Sequence, residues 1–322
     1  MVAAARAAGN ADRMDGEGTG EAVRGRRRGP GWRSVAHGLH VPADAEPAAQ
    51  LRAWQLLLPA HGCFTHLTGA EIRGWWLPPV PDGLPVFVAL KPGDVRPDRD
   101  GIRSLRTEGT GKHDTVDGMR VARPTEILLA CARDLGLLDL VVLIDAALHA
   151  GDVTRDELVA AAGARRRGAP ALRRAIAWAH PRSESAWETA LRVCHRVCGI
   201  EVEPQHEVFN EHGALVARGD LWLVGTTTFH EYDGEDHLQR RRQVKDLRRI
   251  RRLDGESWSR RGYTSEDLIT RPIGILRDAD RTIGRPHDPE RIKAWYDLLR
   301  ASCFTPAGRQ RLLQRLGLEK AA

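Results

Sequence analysis

Residues 214–237, ALVARGDLWLVGTTTFHEYDGEDH, constrain the fold of this chain more tightly than any other stretch. Two strand-like runs flank Gly225-Thr226, which reads as a two-residue hairpin loop. That loop fixes the register. Val224 then faces Thr227, and counting outward sets Asp220 directly across from Glu231 on one face of the sheet, with side-chain roots only about 5 Å apart. Like charges this close destabilise a sheet unless a cation lies between them, and a hard divalent ion with oxygen ligands meets that need. The other reading is a solvated pair at a sheet edge, against which the flanking Leu221, Leu223 and Phe229 argue. Asp233, two residues beyond Glu231, points to the same side.

The 322 residues suffice for two domains of ordinary size. Residues 1–30, rich in Ala, Gly and Arg and ending in RGRRRGPG, show no periodicity and predict a disordered basic arm. That arm is either a non-specific nucleic-acid contact or an unstructured tail. Residues 31–165 read as a small mainly helical α+β domain, with helical spacing over 48–58 and 65–75. Strands LPVFVALK, GIRSLRTE and DGMRVARP follow, then helices RPTEILLACARDLG and LLDLVVLIDAALHAG. The charged, Gly- and Pro-containing stretch at 165–170 reads as a linker. Residues 170–270 read as helix, three strands, long helix and short strand, and 271–322 as a helical extension with Ile292, Trp295, Leu298 and Leu299 at core spacing.

The excess of 49 Lys and Arg over 43 Asp and Glu, with Arg far outnumbering Lys, suits a phosphate-bearing partner. Within 239–261 there are ten basic residues against three acids. Part of that run pairs internally along a helix, through Arg242, Asp246 and Arg249, while Arg241, Lys245, Arg248 and Arg252 are left as a candidate DNA footprint. Trp222 and Trp258 either stack on bases or belong to the core. Five scattered cysteines in apolar surroundings indicate buried thiols in a reducing compartment; Cys194, Cys198 and His195 have a helical spacing that a metal can use, but soft sites recruit four ligands. No apolar run reaches the roughly 18 residues of a membrane span, and the N-terminus lacks a signal peptide's apolar centre. A cytoplasmic protein is expected.

Several motifs occur in an order that resembles a known family. A helix marked Ser185-Ala186-Trp187-Glu188 precedes the strands. The second strand runs into Glu231-Tyr232-Asp233-Gly234-Glu235-Asp236-His237, and then come Asp246-Leu247-Arg248-Arg249 and Gly255-Glu256-Ser257-Trp258-Ser259-Arg260. The set is similar to the PD-(D/E)XK nuclease superfamily, in its branch of very-short-patch-repair (Vsr-like) endonucleases. The resemblance implies a restriction-endonuclease-like core, a mixed central sheet flanked by helices, within an overall α+β chain. It further implies an endonuclease that hydrolyses DNA with Mg²⁺ or Mn²⁺ held by Asp220 and Glu231, with Glu188 as an outer-sphere or second-metal ligand and Asp233 beside them. The superfamily's usual Lys after the second acid is here Asp233. His237 is therefore the residue expected near the attacking water, unless it only packs at the turn into the long helix.

In the N-terminal half, GWRSVAHGLHVP followed by FTHLTGAEIRGWWLP is similar to the wing and following helices of abortive-infection (AbiEi-like) antitoxin-like proteins. Only the end of such a winged helix is present, and Thr65, His66 and Thr68 are expected to be structural. Together the resemblances imply a role in defence or in a toxin–antitoxin pair, with DNA and a homodimer or toxin partner as binding partners. The competing expectation is a catalytically inactive nuclease-fold protein that binds DNA as an antitoxin-type transcriptional regulator.

Overall fold

In the computed structural model, which describes residues 23–24, 30–97, 99–107, 112–234 and 258–318, the apolar periodicities resolve into three sheets and the helices that cover them. His237, Arg241, Lys245, Arg248 and Arg252 lie outside the described residues. Strand β1 (Val23–Arg24) pairs antiparallel with β3 (Leu39–Pro42), which forms a hairpin with β2 (Trp32–Ala36). The arm expected to be disordered through residue 30 thus contains a short strand, because the open edge of β3 offers backbone partners that composition alone does not reveal.

Helix α1 (Pro47–Gln55) leads into a mixed five-stranded sheet made by β4 (Cys63–Phe64), β5 (Val86–Leu90), β6 (Ile102–Arg106), β7 (His113–Val116) and β8 (Met119–Ala122), in the order β6-β5-β4-β8-β7. Helix α2 (His66–Ile72) follows β4; Thr68 is buried there and accepts from the Phe87 N–H at 3.0 Å, the structural role expected of it. Helices α3 (Pro124–Cys131), α4 (Leu137–His149), α5 (Arg155–Gly163) and α6 (Ala169–Ile176) pack behind this sheet. Thr154 and Glu157 close a capping box at the start of α5.

The stretch read as an interdomain linker is instead a tight turn between α5 and α6. Gly168 adopts a left-handed backbone there (φ 89°), and any Cβ at that position would overlap the Leu129 carbonyl of α3. The core does not divide at this point: Phe64, Ile127, Leu143, Leu191, Leu223 and Trp295 belong to one buried cluster.

Helix α7 (Ala186–Val197) begins at Ser185 and covers one face of a second sheet, ordered β12-β11-β10-β9: β9 (Val202–Phe209), β10 (Leu215–Leu223), β11 (Thr228–Tyr232) and β12 (Ser259–Tyr263). Neighbours are antiparallel except β11 and β12, which are parallel. Helices α8 (Ser265–Ile269), α9 (Pro272–Thr282), α10 (Lys293–Leu299) and α11 (Pro306–Arg315) complete the chain, with Ile292, Trp295 and Leu299 buried as their spacing predicts. The class is α+β. No helix among the described residues is long and apolar enough to cross a membrane.

Candidate functional site

The hairpin register is the expected one. Leu221 pairs with His230 and Trp222 with Phe229. Beyond that pair His230 and Tyr232 turn toward α7, so Glu231 between them faces the other side of the sheet, while Asp220 acts on Glu188 of α7. On the other side of β10, Gly219 pairs with His206 and Leu221 with Pro204, which sets Gln205 beside Asp220. Gln205 is in the left-handed region (φ 52°), a local break in the strand that turns its side chain toward α7.

Glu188 stands in the first turn of α7. Ser185 caps the helix by accepting from the Glu188 N–H at 3.1 Å, and its hydroxyl donates to Glu188 Oε1 at 3.0 Å. The Glu184 N–H and Gln205 Nε2 both donate to Glu188 Oε2 at 2.9 Å. The Ser-x-x-Glu motif is therefore a helix-start device as well as a way of aiming an acid at the sheet. Burial, and after it the charge of Asp220, pushes the Glu188 carboxyl up from 4.5 to about 7. Asp220 accepts from the Tyr232 N–H at 3.1 Å through Oδ2.

Glu231, almost fully buried, has a different neighbour: Arg260 donates through Nε to Glu231 Oε2 and through Nη2 to Asp233 Oδ1. The parallel register of β11 and β12, with Phe229 beside Arg260 and Glu231 beside Gly262, presents the guanidinium to both acids. Gly262 leaves room for the Asp233 carboxylate, which a Cβ at that position would displace.

The structure therefore sorts the four described acids into two sets. Glu188 and Asp220 interact with each other, while Glu231 and Asp233 share Arg260. Their oxygens are of the right kind for a hard cation, but among the described residues no three His, Cys, Asp or Glu side chains converge to hold one. With Arg260 on Glu231, the arrangement does not fit a divalent ion shared by Asp220 and Glu231. For Glu231 and Asp233 the neighbouring cation is Arg260. Sequence reasoning placed Arg260 in a motif without a role; its alternation with Gly262 on the strand beside Glu231 was the available signal.

A second feature escaped sequence reading. His195 Nδ1 donates to the Leu191 carbonyl at 2.8 Å, so its Nε2 accepts from His230 Nδ1, also at 2.8 Å. His230 Nε2 is 3.4 Å from the Tyr263 hydroxyl. Burial drives His195 down to about 4 and His230 to about 2, so both rings are neutral and pin α7 to β11 one residue from Glu231. Both ring nitrogens of His195 are thereby taken by Leu191 and His230, and Cys194 and Cys198 are free buried thiols. Trp222 stacks on His206 at 4.1 Å and Trp258 on Phe229 at 4.8 Å, an aromatic cluster on the opposite face of the sheet from α7.

No family model matches the chain, and no curated protein matches it. Among solved structures it is similar to the RV2827C protein from Mycobacterium tuberculosis, at 16% identity and a TM-score of 0.33, over 56% of this chain and 73% of that one. A likeness of this size carries no argument about fold or activity.

Proposed function

We propose that the C-terminal half is a nuclease-type domain used to bind nucleic acid, with its acidic site closed by Arg260, and that the chain acts as an antitoxin-type transcriptional regulator. The observation that carries this reading is the pairing of Arg260 with Glu231 and Asp233, the two acids that a metal-dependent nuclease keeps available for its ion. The excess of basic residues supplies the electrostatic attraction to phosphates that such binding needs. A toxin protein or a second copy of the chain fits this role as a partner.

A metal-dependent DNA endonuclease is the second reading, favoured by the nearness of Asp220 to the raised Glu188 carboxyl. A group that exchanges its proton at about 7 is matched to general acid–base work near neutral pH. Two assays on purified protein separate the readings: retardation of duplex DNA at several salt concentrations, and cleavage of supercoiled plasmid with Mg²⁺ or Mn²⁺. The parent chain and an Asp220→Ala, Glu231→Ala variant are compared. Salt-sensitive retardation by both, with no cleavage by either, is the expected outcome. Metal-dependent nicking by the parent that vanishes in the variant would sink the binding-only reading and establish the nuclease.

A further inference from the structure

The turn between α5 and α6 carries Arg165, Arg166 and Arg167 onto the end of α3, where they meet Arg133. Two hollows join at these four residues. One, of about 280 Å³, reaches the edge strand β6 through Arg106 and includes Thr65 and Thr107; the other, of about 890 Å³, runs along the start of α6 to Arg173 and Arg174. Arginine therefore lines the trench from end to end. Among the described residues two acids line this wall: Glu126, which takes both terminal nitrogens of Arg166 at 2.5 Å, and Asp134, which lies 3.2 Å from His66 Nε2. Arg173 donates to the Ala162 carbonyl at 2.6 Å. Arg133, Arg165, Arg167 and Arg174 are exposed and carry no ion pair with another described residue.

The turn is built to stand still. Gly168 lets the backbone seat on the Leu129 carbonyl, and the fork of Arg166 on Glu126 ties the turn to α3. Like charges gathered on a fixed turn repel one another in the free protein, and an anion laid among them removes that repulsion. From this geometry we infer that the trench is a second nucleic-acid contact, on the face of the N-terminal half, which takes the phosphodiester backbone of a strand. A repeating anion fits better than a single phosphate because the unpaired guanidinium groups are spread along two joined hollows, and each positions a backbone oxygen without reading a base. This surface is separate from the acids of the second sheet, so its failure and that of the proposed DNA-binding role of the C-terminal half are distinguishable.

The test is fluorescence anisotropy of the full chain with labelled single-stranded and duplex oligonucleotides across a salt series. Three variants are compared with the parent: Arg165→Gln, Arg167→Gln, Arg174→Gln combined; Arg300→Gln, whose partner is Asp297 outside the trench; and Asp220→Ala, Glu231→Ala. Circular dichroism melts check that the triple variant remains folded; all three replaced residues are exposed. The expected result is a log–log salt slope shallower by about one for each arginine removed, and binding weaker by about tenfold or more, in the triple variant alone. An unchanged slope and affinity in a folded triple variant would overturn the proposal. So would a parent chain that binds inorganic phosphate but no oligonucleotide.

Discussion

Glu188 keeps its proton to about pH 7 because it is mostly buried and faces the charge of Asp220, and the hydrogen bonds it accepts do not offset that cost. A carboxyl raised in the folded state contributes stability that is fully present below its unfolded value of 4.5 and is lost as pH rises through about 7. Replacing it by an uncharged isostere removes that loss. Glu188→Gln is therefore expected to melt close to the parent near pH 4.5 and a few degrees higher at pH 8, where about 1 kcal/mol corresponds to roughly 2 °C in a chain of this size. A variant that melts below the parent at pH 8 would show that the hydrogen bonds outweigh the charge. Arg260 works in the opposite sense, since the acid it neutralises is almost fully inside the protein. Arg260→Ala takes the guanidinium away from buried Glu231 and is expected to cost about 3 kcal/mol in urea unfolding; a cost below about 1 kcal/mol would remove the basis for a closed site.

Strands β10 and β11 owe their close approach to a glycine. Gly219 lies under the ring of Phe229, which is fully buried, and a Cβ at that position would overlap the ring. The ring cannot yield, because Val208, Ala217 and Trp258 pack around it. Gly219→Ala is accordingly expected to destabilise the chain by about 1–3 kcal/mol, measured by denaturant unfolding, and to loosen the strand that carries Asp220. Full stability in that variant would mean that the two strands are held apart more than the register implies. On the other face, the neutral pair His195 and His230 fixes β11 to α7 by a directional bond where a pair of apolar side chains would allow sliding. Register and anchoring together bring Glu188, which is distant in sequence, to the level of Asp220.

Across the whole molecule, the two halves share one core and a buried charge pair. Asp145 of α4 accepts from Arg192 of α7 at 2.6 Å, from the Thr189 hydroxyl at 2.8 Å and from the His180 N–H at 2.7 Å. The C-terminal helices return to the first half, where Ser302 and the Cys303 N–H donate to buried Asp139. Two halves joined in this way unfold together. Calorimetry is expected to show one cooperative transition, and residues 1–167 and 168–322 made separately are expected not to fold, each exposing part of the shared core. Two well-separated transitions would instead restore an independent C-terminal domain.

The amino-acid sequence by itself determined the register of the hairpin around Gly225-Thr226, the helix that starts at Ser185, and the core spacing of Trp295 and its neighbours. These follow from local periods of two and 3.6 residues and from turn and cap chemistry, all of which act within a few residues. Only the tertiary structure decided that Arg260 lies on Glu231, that Gln205 reaches Glu188, that His195 meets His230, and that the arginine-rich turn is seated on α3. Each of these depends on which strand or helix becomes a neighbour across a long stretch of chain, through the parallel pairing of β11 with β12 or the packing of α7 on the sheet. Local patterning sets which face a residue occupies; the partner it finds there is set by the packing of the whole core.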